Sequence, residues 1–159
     1  MTCELCMAMQ GKEAKVFEDQ LSAAVLHPRG AAPGHLIVMP RAHHSIMEQV
    51  PDEELRHLFR VTKLMAASLD KGLGCKDLDV IISNGHAAGQ EFPHFSIQVI
   101  PRGKGDAVKI GWEPMTFTKE EMDSIEAGLK EACGGFNRDK PVSAPVKESY
   151  QLRPVVRIP

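Results

Sequence analysis

The chain has no long apolar run, no excess of charge and no leader-like start. Nothing in it approaches the ~20 apolar residues of a membrane-spanning helix. The formal net charge is −2 and the pI about 6.4, which excludes nucleic-acid binding through a strongly basic surface. The first fifteen residues, MTCELCMAMQGKEAK, lack the apolar core of a signal peptide, so a cytoplasmic protein is expected. Cysteine is sparse: Cys3, Cys6, Cys75 and Cys133. In such a chain a close pair reads as a metal site before it reads as a disulfide. There is no internal repeat and no sign of a second domain. The 159 residues suit one compact core.

What is present is a series of short patterned segments. Residues 15–18 and 22–27 read as strands around Asp19-Gln20. Pro33-Gly34 is the pair that a type II turn favours. It feeds 35-HLIVMP-40, a strand stopped by Pro40, so residues 22–39 predict an antiparallel hairpin. Asp52, Glu53 and Glu54 place acids in the first turn of a helix. Leu55, Leu58, Phe59, Thr62, Met65 and Leu69 fall on its apolar face, and Gly72 and Gly74 stop it. A strand over 78–83 and a Gly-bearing loop, 84–90, follow. Thr118 and Glu121 form a capping box that opens a second helix, with Met122, Ile125 and Leu129 as its stripe and Gly134-Gly135 as its stop. The expected fold is α+β, an antiparallel sheet of about five strands with two helices, over residues 1–136. Residues 137–159 carry Pro141, Pro145, Pro154 and Pro159 without a clean period. They read as a disordered end or as an extended arm whose Arg138, Lys140, Lys147, Arg153 and Arg157 could dock a protein partner.

The segment 94-HFSIQVIPR-102 reads as one further strand, pairing with 78–83. Side chains on a strand alternate faces. Phe95, Ile97 and Val99 point one way, as core residues do. His94, Ser96 and Gln98 form a polar row on the other face. Cys3-x-x-Cys6 is half of a tetrahedral zinc site, since thiolates this close can reach one ion. Alone, the pair is equally compatible with an exposed, metal-free N-terminus. Histidines would supply the remaining ligands. His57 lies off the apolar helix face and reads as solvated; His35 follows a turn and reads as a partner of backbone groups. His43 and His44 follow the Pro40 stop, where a loop could carry them toward His94.

CELC, AVLHPRGAAPGHLIVMPRAH and NGHAAGQEFPHFSIQVIPRGKGD occur in that order over residues 1–113. This resembles the histidine-triad (HIT) superfamily. The resemblance implies a homodimer, a nucleotide or other small phosphate-containing ligand, and hydrolase or transferase chemistry on the α-phosphate. It also implies one structural zinc held by Cys3, Cys6, His43 and His94, with His44 the register alternative to His43. The family's active strand alternates His with apolar residues, and its middle His attacks phosphorus. Here that strand reads His94-Phe95-Ser96-Ile97-Gln98. Gln98 resembles the nucleotidyltransferase branch, where an amide can still bond a phosphate oxygen. Ser96 replaces the nucleophile, and serine is a weak one without a base. Losing the nucleophile of a cooperative site can cost on the order of 10⁶ in rate.

Two further positions depart from the family. Glu91 stands where Ser or Thr contacts phosphate, and a carboxylate there repels the ligand unless it is turned away or protonated. His27 stands where Asp holds the ribose hydroxyls. Asn84, Gly89 and Gln90 match and keep the loop shape. With Ser96 and Gln98, these residues are the expected nucleotide-binding set. The expectation is a zinc-stabilised binding or regulatory module with little or no hydrolase activity. The alternatives are a hydrolase or transferase with a different base, drawn from His44 or His86, and a scaffold acting through the C-terminal arm.

Overall fold

The structure is a computed structural model that describes residues 3–11 and 14–134. The expected arm at 137–159 lies outside the described residues. The element order is α1 (Glu4–Gln10), β1 (Lys15–Glu18), β2 (Ser22–Leu26), β3 (Leu36–Pro40), α2 (Asp52–Leu73), β4 (Asp77–Ile81), β5 (Ile97–Arg102) and α3 (Lys119–Cys133). The five strands make one antiparallel sheet in the order β1-β2-β3-β5-β4. Among the described residues, no helix is long and apolar enough to cross a membrane.

The expected hairpin is present, with Ala24 opposite Val38 and Leu26 opposite Leu36. Its turn is where the Pro-Gly pair places it: His35 N–H donates to Ala32 O at 3.0 Å and Gly34 has φ +84°. That φ belongs to the third position of a type II turn. The expected pairing of the fourth and fifth strands is also present, with Val80 opposite Val99.

Alternation sorts the sheet into two faces. Ala24, Leu36, Val38, Phe95, Ile97 and Val99 turn toward α2 and pack with Leu58, Val61, Met65 and Leu69. Ala23, Val25, Ile37 and Met39 turn the other way and pack with Cys3, Leu5 and Phe92. One face is therefore a helix-covered core. The other is closed in part by α1, and the expected site residues belong to it.

Four details differ from the sequence expectation. There are three helices, not two; α1 is seven residues long and buries a single leucine, Leu5, too little for a periodic signal. Phe59 is 47% exposed, because the buried stripe of α2 runs through Val61 instead. Gly72 lies inside α2, and Gly74 alone, with φ +66°, terminates it. The fifth strand begins at Ile97, not at residue 94. Its ladder to β3 spans Leu36 to Val38 only. Beyond it, Phe95 N–H donates to His44 O at 2.6 Å, so the chain leaves the sheet to follow the 41–45 loop.

Arg102 closes the end of β5 by pairing with Asp79 and Asp106. Asp106 in turn accepts the backbone N–H groups of Gly103 and Val108. The Arg102 guanidinium holds the Asp106 carboxyl well below the usual carboxylate range. Residues up to Val108 form one compact unit, and Lys109 begins a second. Within that second unit, α3 carries the expected capping box. Glu121 N–H donates to Thr118 Oγ1 at 3.2 Å, and Thr118 N–H donates to Glu121 Oε2 at 2.8 Å.

Candidate functional site

Two cysteines and two histidines meet where α1 crosses the sheet. Cys3 and Cys6 are three residues apart, so α1 turns both toward the same side. Cys6 Sγ lies 3.4 Å from Nδ1 of His43 and 3.4 Å from Nδ1 of His94; Cys3 Sγ lies 3.6 Å from the latter. All four donor atoms fall within 4.8 Å of one another. An ion bonded to sulfur at about 2.3 Å and to nitrogen at about 2.1 Å separates neighbouring tetrahedral donors by about 3.6 Å. The spacing therefore fits zinc.

The protonation states fit as well. His94 Nε2–H donates to Pro40 O at 3.0 Å, which leaves the Nδ1 lone pair facing the sulfurs. Burial pushes His94 down to about 4 from 6.5, so the imidazole is neutral, as a ligand must be. Burial first, then the Cys3 contact, pushes the Cys6 thiol up to about 11 from 9.0. A thiol placed as Cys6 is resists ionising without a cation, and a divalent ion reverses that balance. His43 belongs to the cluster, whereas His44 Nε2 donates to Glu54 at 3.1 Å.

Beyond the metal cluster, side chains from three strands form a row on the same face. His27 follows β2, His35 precedes β3, and Gln98 lies on β5 opposite Ile37. The two imidazoles stack with centroids 4.4 Å apart and planes at 24°. Each is oriented by a backbone donor. Arg29 N–H donates to His27 Nδ1 at 3.0 Å, and Ala31 N–H donates to His35 Nδ1 at 3.0 Å. The protons therefore sit on Nε2. His27 Nε2–H donates to Glu91 at 3.2 Å, and His35 Nε2–H donates to Gln98 Oε1 at 2.9 Å. Burial, aided by the neighbouring His27, holds His35 below its ordinary value and keeps it neutral. His35 does satisfy a backbone group, as expected; its bond to Gln98 is new. Only an alignment of the two strands could have revealed it.

The remaining expected residues take three kinds of position. Gln90 is committed within the fold: its carbonyl accepts Gly85 N–H at 2.8 Å, and its amide donates to Ser45 O and Phe92 O. Asn84 likewise joins Met47 N–H to the Glu48 carboxylate. Gly89, with φ +78°, caps the turn between them. Glu91 is not turned away from the row; Arg29 and His27 pair with it. Arg29 is a site residue that sequence reasoning missed, because its partner lies 62 positions away. Ser96 is half-buried between His94 and Gln98, and among the described residues its hydroxyl has no hydrogen-bond partner. His57, expected to be solvated, donates to Asp19 at 2.7 Å and ties α2 to the β1–β2 turn. His86 stands exposed on a short 3₁₀ turn, His86–Ala88.

The HIT domain family matches residues 9–105. The chain belongs to the HIT family. An uncharacterised HIT-like protein from Methanocaldococcus jannaschii is 34% identical over 134 residues, covering 83% of this chain and 99% of that protein. An adenosine 5'-monophosphoramidase from Schizosaccharomyces pombe is 26% identical over 128 residues, covering 79% of this chain and 93% of its own. Among solved structures, a zinc-bound histidine triad family protein from Mycobacterium smegmatis superposes with a TM-score of 0.63 at 24% identity, covering 86% of this chain and 99% of that one. The open five-stranded sheet is thus a HIT fold.

Proposed function

We propose that this HIT domain is a zinc-stabilised nucleotide-binding module that holds its ligand without cleaving it by the histidine route. One observation carries the reading. Every imidazole of the row, and His94 beside it, has both ring nitrogens engaged. A nucleophilic imidazole needs one nitrogen free to reach phosphorus. Ser96 offers a hydroxyl in its place, and His44, one candidate base, is committed to Glu54.

Zinc would be held by Cys3, Cys6, His43 and His94. Four protein ligands leave no open position, so the ion's contribution there is to fold α1 against the sheet, not to activate water. The ligand class follows from the fission-yeast relative, named for an adenosine 5'-monophosphoramide substrate. In the proposed pose the Ser96 hydroxyl and the Gln98 amide donate to phosphate oxygens. The Gln98 carbonyl is held by His35, which turns the amide nitrogen to donor work. Asn84, Gly89 and Gln90 shape the loop beside them, and His27 and Glu91 line the outer end.

Metal analysis and calorimetry with AMP test this. The expected result is one zinc per chain and saturable AMP binding, with unmodified AMP recovered afterwards. Metal-free fresh protein, or no heat of AMP binding, overturns the reading.

A further inference from the structure

Two donors converge on one exposed carboxylate at the outer end of the row. Glu91 Oε1 accepts from Arg29 Nε at 3.1 Å and from its terminal nitrogen as well. Glu91 Oε2 accepts from His27 Nε2 at 3.2 Å. A guanidinium fork and an N–H aimed at the two oxygens of one anion is how proteins receive phosphate or carboxylate. Both donors are oriented. His27 is fixed by the backbone N–H of Arg29 and by its stack on His35, and the Arg29 guanidinium lies 5.9 Å over the Phe92 ring. The anion they hold is replaceable. The Arg29 and Glu91 side chains are 59% and 41% exposed, so water and salt screen the pair. A phosphate monoester carries more charge than the carboxylate it displaces. Glu4 Oε2, 3.9 Å from Arg29, adds a weaker competing charge from α1.

Position gives the ligand class. His27 follows β2, His35 precedes β3, and Gln98 lies on β5 with Ser96 just before it. His27 stacks at 4.4 Å on His35, which is itself bonded to Gln98, so the outer anion pair stands one imidazole stack beyond the Ser96–Gln98 end. That is the scale of one ribose and the two phosphates it can carry. Dinucleotide sites obey the same chemistry: an acidic residue holds ribose hydroxyls, and an arginine accommodates a phosphate on them.

We propose that Arg29 and His27 form a second anion subsite, selecting nucleotides that carry a phosphate on the ribose in addition to the 5'-phosphate, and that Glu91 occupies this subsite as a built-in competitor in the free protein. The inference rests on the nucleotide-binding reading above. The ligand displaces Glu91 without any covalent step.

Calorimetry with AMP and with adenosine 3',5'-bisphosphate tests it, using the full chain, Arg29→Ala and Glu91→Gln. The expected result is a bisphosphate preference on the order of tenfold in the unmodified protein. Arg29→Ala should abolish that preference, and Glu91→Gln should enlarge it. Raising the salt should shrink it in every protein that shows it. A bisphosphate-to-AMP ratio unmoved by Arg29→Ala overturns the subsite. A ratio unmoved by Glu91→Gln overturns the competitor role. AMP binding with no bisphosphate preference in any protein defeats this inference and leaves the proposed function standing. Failure of both ligands to bind defeats both.

Discussion

Gly34 shows how much one residue fixes. Its φ of +84° is strained for any side chain, and an added Cβ would meet Leu73 Cδ1 at 2.6 Å and Leu69 Cδ2 at 3.1 Å. Gly34→Ala should cost more than about 1 kcal/mol, read as a lower urea midpoint with the slope unchanged. The same turn sets His35, and His35 sets Gln98. Gln98→Leu would leave the buried His35 Nε2–H without its acceptor, at about 1–3 kcal/mol in a denaturant melt. Individual residue types were readable before any coordinates. Cys3, Cys6 and His94 stand with His43 in a cluster that could hold a metal. What could not be read was pairing across the chain. The choice of His43 over His44 depends on how the 41–45 loop turns, and the Arg29–Glu91 pair depends on two loops meeting. Nothing local records either.

At the scale of elements, legibility followed the strength of local signals. The Pro-Gly hairpin, the acidic start of α2 and the Thr118 box each have a mechanism confined to a few neighbours, and each is where its residues place it. Thr118→Ala should cost about 1 kcal/mol and speed amide exchange in the first turn of α3. The short α1 was hidden because its stability comes from elsewhere: Leu5 in the inner cluster and the cysteines beside His43 and His94. Its dependence on His94 gives a pH signature in chelated, metal-free protein. Burial holds His94 at about 4, whereas the unfolded chain protonates it near 6.5. The unfolded state then binds more protons in that window, so the contribution is complete above 6.5 and is lost as pH falls toward 4. It amounts to at most about 3 kcal/mol. Urea melts at pH 7 and pH 4.5 should differ accordingly, and His94→Gln should flatten the difference. An equal slope in that variant would move the effect to the carboxylates.

For the molecule as a whole, one sheet serves two purposes. Its α2 face supplies the core, and its other face carries the Cys3, Cys6, His43 and His94 cluster and the His27, His35 and Gln98 row. In the proposed reading zinc and ligand site are linked, because His94, one of the four residues that could hold a metal, stands two residues from Ser96. Chelation should therefore lower the thermal midpoint and weaken AMP binding together, both recovering on adding zinc. In the proposed reading this architecture binds its nucleotide without histidine-driven cleavage. This is tested most directly by the hydrolysis rate of adenosine 5'-monophosphoramidate in the unmodified protein, Ser96→Ala and Ser96→His. No turnover above the buffer blank is expected in the first two, and measurable turnover is expected once an imidazole stands at position 96. Turnover by the unmodified protein that Ser96→Ala abolishes would contradict it.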